Sequence, residues 1–290
     1  MKRFAVIVAT LTTFACTSTT PTATPVATQQ PPAATQQQQC GDSILSGTLW
    51  LQSSAEYRAV AWGTYAAARR ALDRALADPA WSAAAEQSGS FASLPPAVIL
   101  DLDETSIDNG VFEARAIKAG KTYDDKLWDQ WVAESAAIAV PGAPEFLAYA
   151  KSKGVTPFYI TNRDNDPEGP GTLRNLQKLG FPLSDREDTL LMRGDKPEWT
   201  SDKSGRRAYV AQRYRVLVVL GDDLNDFANA REATVADRDA IMERTRNWWG
   251  ERWFMLPNPL YGSWERALLG SAPGDDCVKH QRKRDALRVN

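Results

Sequence analysis

From residue 97 onward the chain alternates short unbroken apolar runs with stretches of helical periodicity. The runs are "AVIL" (97–100), "FYI" (158–160), "LLM" (190–192) and "VLVVL" (216–220). Between them lie "PGAPEFLAYAKSKG", with Gly154 as a C-terminal stop, then "GTLRNLQKLG" and "SGRRAYVAQRY". Strands that are apolar throughout are buried on both faces, as in a parallel sheet. Their alternation with helices predicts an α/β fold, a mostly parallel sheet with helices on both faces. Pro157 has no N–H to give to a ladder, so the second strand is expected to begin near Phe158. Upstream, residues 44–78 are Ala-rich, and Leu49, Ala55, Tyr57, Val60, Trp62 and Tyr65 recur at roughly helical spacing. This predicts one or two helices ending before Pro79, with the aromatics in the core.

The first 16 residues, "MKRFAVIVATLTTFAC", carry two cations and then an apolar run too short to span a membrane. They read as an export signal, and Cys16 directly after the run resembles the lipidation site of a bacterial lipoprotein. The expectation is an exported protein, anchored to a membrane only through Cys16 or otherwise secreted. Residues 17–43 begin with a Thr, Pro, Ala and Gln tract that cannot build a core and serves as a linker. Cys40 and Cys277 are then free to pair in an oxidising compartment.

Composition narrows the chemistry more than the fold. Of 290 residues 43% are apolar and 24% charged, with a net charge of −2, which offers no footprint for nucleic acid. The basic run "KHQRKR" (279–284) falls in residues 271–290 and reads as a solvated tail. His280, inside that run, is the one histidine of the chain. A mechanism that needs an imidazole base has only His280 to draw on, and His-rich metal sites are excluded. The chemistry falls mainly to carboxylates, lysines and arginines, hydroxyls or a hard metal.

Polar clusters stand where such work is done. In open α/β sheets, ligands bind beyond the carboxyl ends of the strands. Those ends are "DLDET" after the first run, "TNR" (161–163) after the second and "GDDLND" (221–226) after the last, with "SDKSGRR" (201–207) just before the last strand. Residues two apart leave a strand in the same direction, so Asp101 and Asp103 can face one cavity. Carboxylates about 4 Å apart repel by roughly 4 kcal/mol at an effective dielectric near 20, and a cation must offset this. With Asp222 and Asp226 they make an oxygen-only set suited to Mg2+, and Lys203 adds positive charge. Such a set fits phosphoryl transfer. Asp101 would attack phosphorus, and Asp103 would protonate the leaving oxygen and then activate water. Thr161 and the backbone after it would hold phosphate oxygens.

"ILDLDET", "ITNR", "DKSGRR" and "VVLGDDLNDF", in that order, resemble the four motifs of the haloacid dehalogenase (HAD) superfamily. In particular they look like its class C, DDDD-type bacterial acid phosphatases, which are often lipoproteins. "LWLQSSAEYRA" and "NPLYGSWE" also resemble segments of that family, so the likeness spans about residues 45–270. It implies a HAD-like Rossmannoid domain over residues 44–270. Its helical cap would come from the N-terminal helices (44–78) and an insert after the first strand (106–140). It implies Asp101 as nucleophile and Asp103 as acid/base. Mg2+ would be held by Asp101, the Asp103 carbonyl and Asp222, with Asp226 a ligand through water or an orienter. Thr161 and Asn162 match the phosphate loop, and Lys203, rather than Lys196, matches the charge-balancing lysine.

Asp223 stands where the family has Asn and is expected to face solvent. Ser106 replaces an apolar residue. The resemblance implies that an acid at Asp103 favours a phosphatase or phosphomutase over transport ATPases, which carry Thr there, and over dehalogenases; an exported protein meets little sugar diphosphate, which favours the phosphatase. The resemblance also implies nucleoside 5′-monophosphate substrates, for which Trp128, Trp131 and above all Tyr261 are candidate base-stacking residues. Two other readings compete. "CGDSILSG" is similar to the GDSL motif of esterases, with Ser43 as nucleophile and Asp276 and His280 as partners. A non-enzymatic surface-binding lipoprotein on the same scaffold is the second.

Overall fold

The computed structural model describes residues 40–184, 188–270 and 274–289. The export signal, Cys16 and most of the linker lie outside the described residues. The chain begins with helices α1 (Leu45–Ser53) and α2 (Ala55–Ala77), followed by strand β1 (Pro96–Leu100). An insert of β2 (Ile107–Asp108), α3 (Gly110–Lys118), α4 (Asp125–Glu134) and β3 (Ile138–Ala139) comes next. The sheet resumes through α5 (Ala143–Ser152), β4 (Thr156–Asp164), α6 (Asn165–Lys178), β5 (Leu190–Arg193), α7 (Ser204–Ala211) and β6 (Arg215–Gly221). Helix α8 (Val235–Arg244), β7 (Trp253–Met255), α9 (Ser263–Leu269) and α10 (Asp276–Asp285) complete it.

The five long strands form one sheet in the order β5-β4-β1-β6-β7, and every pairing is parallel. The chain moves from β1 to β4 on one side and later to β6 on the other. The point where winding reverses therefore lies between β1 and β6, where loops part and leave a crevice. Central strand β6 is buried along its whole length, as its unbroken apolar run requires.

Strand β4 begins at Thr156, two residues earlier than Pro157 suggests. Pro157 pairs with Val98 of β1, while pairing to β5 starts only at Tyr159. At Pro157 the strand thus has one neighbour, the edge-like position where proline is tolerated.

Helix α2 starts at Ser54, whose side chain accepts the Tyr57 N–H at 3.0 Å. Its buried face is Tyr57, Ala61, Tyr65, Ala68, Leu72 and Ala75, a three-four spacing that keeps one stripe on the core. Val60, Trp62 and Leu49 fall off that stripe, and Trp62 is 55% exposed, so not every aromatic here is core. The alanines of the stripe pack with Val98, Leu100 and Leu217 of the sheet. Helix α2 packs against α5, β6 and β7, whereas α1 packs with α3 of the insert.

The basic run is not a loose tail. It lies within α10, and a disulfide from Cys277 to Cys40 ties that helix to the start of the fold. Asp276 also accepts the Thr122 N–H at 2.9 Å. Among the described residues no helix is long and apolar enough to cross a membrane.

Candidate active site

The loop leaving β1 folds back under its own backbone. The Leu102 carbonyl accepts the N–H groups of Thr105, Ser106 and Ile107 at 3.2, 2.7 and 2.9 Å. Glu104 takes φ 56 at the bend, a left-handed conformation that few side chains adopt. Two hydroxyls fix the turn: Ser106 Oγ donates to the Asp101 carbonyl at 2.6 Å, and Tyr65 OH reaches from α2 to the Thr105 carbonyl at 2.7 Å. Ser106 thus holds the very residue expected to react.

Across the winding reversal, Asp101 N donates to the Leu220 carbonyl at 3.0 Å, which locks the end of β1 to the end of β6. Asp101, Asp222 and Asp226 each bring a carboxylate oxygen to within 4.8 Å of one another. Lys203, which caps the start of α7, is 4% exposed and reaches between them. Its Nζ donates to Asp101 Oδ1 and, at 2.7 Å, to Asp226 Oδ1. Asp226 Oδ2 also accepts the N–H groups of Asp222 and Asp223 at 3.1 and 2.9 Å, which marks it as the orienter of the loop. Asp222 is steadied by Thr105 Oγ1 at 2.9 Å and by Asn258 Nδ2 at 2.8 Å.

Electrostatics explain what this cluster needs. Burial pushes the Asp101 carboxyl up to about 7; Lys203 draws it back, but Asp226 and Asp103 oppose the return. Asp222 is raised by burial first and then by Asp101 and Asp226. Burial pulls the Lys203 ammonium down, but Asp101 and Asp226 outweigh it and hold it well above its ordinary value. One ammonium faces three carboxylates, so the set has room for a further positive charge. All its donors are oxygens, with neither His nor Cys, and that fits a hard divalent cation.

Asp103 lines the same cavity but is turned toward a residue that sequence reasoning passed over. Arg163, buried, donates from Nη2 to Asp103 Oδ1 at 2.7 Å and from Nε at 3.0 Å. Asn109 Nδ2 adds a third bond at 2.8 Å. Arg163 also stacks 5.0 Å from the Trp128 ring, so the insert and the phosphate loop meet at this guanidinium. The signal is the R of "TNR": an arginine inside a buried strand needs acceptors for its guanidinium.

The remaining candidates divide. Asn162 lines the cavity, with its Nδ2 donating to the Ser201 carbonyl at 3.0 Å and its Oδ1 accepting from Arg206 at 2.7 Å. Thr161 is wholly buried and does not line the cavity; its hydroxyl accepts the Arg163 N–H at 3.1 Å. Lys196 lies over the rings of Trp199 and Tyr209, clear of the carboxylates. Trp128 and Tyr261 line the cavity, whereas Trp131 is buried and donates to Asn109 Oδ1 at 2.8 Å. Asp223 does not face solvent freely: it accepts the Ser263 N–H at 2.6 Å and bolts down the loop that carries Tyr261. Gly262 between them takes φ 150, and a Cβ there would meet Asp223 Oδ2 at 2.8 Å. Asp276, the acid an esterase triad would need, is engaged by Thr122.

Residues 2–264 match the model of the HAD superfamily, subfamily IIIB (acid phosphatase). The class C acid phosphatase of Bacillus anthracis is 33% identical, with a TM-score of 0.75 over 87% of this chain and 99% of that one. The same enzyme with tungstate bound superposes with a TM-score of 0.75 at 33% identity, over 86% of this chain and 98% of that one. Acid phosphatase 1 of Solanum lycopersicum is 25% identical over 167 residues, 56% of this chain; the chain spans 57% of that relative's length.

Proposed function

The chain belongs to subfamily IIIB of the HAD superfamily, the acid phosphatases, which are phosphomonoester hydrolases; on that premise we propose a Mg2+-dependent reaction through a phosphorylated Asp101. The observation that carries this is the meeting of Asp101, Asp222, Asp226 and Lys203 at the winding reversal. Asp101 and Asp222 would hold the Mg2+ together with the Asp103 carbonyl, and Asp226 would orient them. When bound, the ion supplies positive charge to the phosphoryl oxygens.

The chain's own groups then have defined tasks. An Asp101 oxygen attacks phosphorus while the bond from phosphorus to the ester oxygen breaks. Asp103, held by Arg163, gives its proton to the departing oxygen. The alcohol leaves, and a water takes its place. Asp103 removes a proton from that water as it attacks phosphorus, and the bond to Asp101 breaks to release phosphate. Lys203 offsets the negative charge that gathers on Asp101 and the phosphoryl group. The B. anthracis enzyme, with tungstate bound, supports an oxyanion site on this fold.

Nucleoside 5′-monophosphates are the proposed substrates. Tyr261, 36% exposed in the cavity, and Trp128 offer ring faces to a base. We also propose that the protein is exported and anchored through a lipid on Cys16; the disulfide between Cys40 and Cys277 is in keeping with an oxidising compartment. Release from membranes on Cys16→Ser is the expected outcome, and unchanged membrane association overturns it.

The central test is hydrolysis of p-nitrophenyl phosphate with Mg2+, with EDTA and after Asp101→Asn. Turnover with Mg2+ alone, and loss in both other arms, is expected. Turnover that ignores EDTA removes the metal from the reading, and near-normal turnover by Asp101→Asn removes the nucleophile.

A further inference from the structure

The cavity that holds the carboxylates is lined by a second set of charged residues, opposite in sign, that the reaction does not use. Its volume is about 800 Å3, the size that takes a ligand much larger than a phosphate group. Beside the carboxylates it is lined by Arg231, Arg266, Lys279, Arg282 and Lys283. The last three come from α10, which lies beyond the stretch of chain that matches the family model. Helix α10 is not free to drift from the cavity. The Cys40–Cys277 disulfide, the Thr122–Asp276 hydrogen bond and the Lys283–Glu265 ion pair at 2.8 Å hold it there.

The acidic residues beside these cations are engaged: Asp275 accepts the Val278 N–H, Asp276 the Thr122 N–H, and Asp285 a bond from Gln281. Glu265 pairs with Lys283, Glu232 with Arg266, and Asp223 with Ser263. Arg282 also has a partner. Lys279 and Arg231 are different: among the described residues neither side chain makes a hydrogen bond or an ion pair. Arg231 Nε is buried without an acceptor, although its residue lines the cavity. A buried donor left unpaired is costly, and a ligand oxygen drawn to this guanidinium would remove that cost. Guanidinium groups satisfy phosphate oxygens two at a time, which suits them to hold a second such group.

We propose that this basic rim is a subsite for a second anionic group, so that the enzyme binds esters with two phosphates, of the nucleoside 3′,5′-bisphosphate class, more tightly than the corresponding monophosphates. The inference rests on the phosphatase reading for its first phosphate. The second phosphate needs only the rim. The scissile group sits at the carboxylate end, the nucleoside spans the aromatic middle, and the other phosphate meets Arg231 and Lys279.

The test is calorimetric binding of adenosine 3′,5′-bisphosphate and of 5′-AMP to the Asp101→Asn protein in the presence of Mg2+. The expected Kd ratio favours the bisphosphate by at least about tenfold, equivalent to about 1.4 kcal/mol. Adding Lys279→Gln and Arg231→Gln should bring the ratio within about twofold, while Lys279→Arg should retain it. Equal Kd values in the parent protein, a ratio that the Gln substitutions leave in place, or no binding of either ligand overturns the subsite. A weakening of both ligands by the same factor does so too, because it describes general steering by charge. Failure of the wild-type protein to hydrolyse p-nitrophenyl phosphate would sink the phosphatase reading while the Kd ratio still stands or falls by itself.

Discussion

Arg163 holds Asp103 by two nitrogens, Nη2 at 2.7 Å and Nε at 3.0 Å from the same carboxylate oxygen. A fork of this kind sets the direction of a carboxylate as well as balancing its charge. Arg163→Met is expected to lower kcat by about 10–100-fold, part of what a positioned acid–base group supplies. Arg163→Lys, which keeps the charge but not the fork, should recover little. Steady-state kinetics on p-nitrophenyl phosphate decide it, and near-normal kcat in either variant would count against a positioning role.

Lys203 is shared by Asp101 and Asp226. Removing one partner from a buried ion pair costs about 3–5 kcal/mol, because the other charge stays behind. Lys203→Met should therefore lower Tm as well as kcat/KM, the latter by about 10³-fold given the charge it offsets in the transition state. Added Mg2+ should return part of the Tm by replacing the lost charge. Calorimetry with and without Mg2+ reads this, and a Tm equal to wild type without the metal would refute it.

Glu113 on α3 is 3% exposed and one of its oxygens has no partner. Burial first, then Asp103, raises its carboxyl from 4.5 to about 8. The folded state binds this proton more tightly than the unfolded chain does. The stability linked to it is complete below about pH 4.5 and is lost as pH rises toward about 8. Glu113→Gln removes that loss. Its Tm should match wild type near pH 5 and exceed it by about 3 °C or more near pH 9, taking roughly 2–4 °C per kcal/mol. A difference that does not change with pH would refute the assignment.

Tyr261 sits on a loop fastened to the carboxylates by Asn258–Asp222 and Ser263–Asp223. Tyr261→Ala should raise KM for 5′-AMP by about 5–10-fold, near the lower end of what base stacking contributes. KM for p-nitrophenyl phosphate should change much less. Equal effects on the two substrates would remove the stacking role.

The Cys40–Cys277 disulfide closes 237 residues. Cys277→Ser is expected to cost about 2–5 kcal/mol of stability and to free α10. Loss of protection from hydrogen exchange in residues 276–285, with the sheet unchanged, would show it. Equal protection in both proteins would mean that Asp276 and Lys283 suffice.

The four apolar runs read as strands of a parallel sheet, because short stretches apolar on both sides and alternating with helical segments suit strands buried on both faces. The acids at their ends had to gather, because strands paired in parallel end together. Thus the order of the strand ends and the likeness of the motifs pointed to Asp101, Asp103, Asp222, Asp226 and Lys203 as one cluster. What the sequence could not fix was direction. Whether Asp103 turns to Arg163, whether Thr161 faces the cavity or the backbone, and whether Asp223 meets water or Ser263 depend on contacts between residues far apart in the chain. Nor does a run of basic residues say what it lies against: "KHQRKR" has the composition of a solvated tail, and only packing of α10, tied through Cys277, brought it to the cavity. Local pattern determines which elements form and which residues end them; the partner each side chain finds is set by how those elements pack, and that is a property of the folded chain.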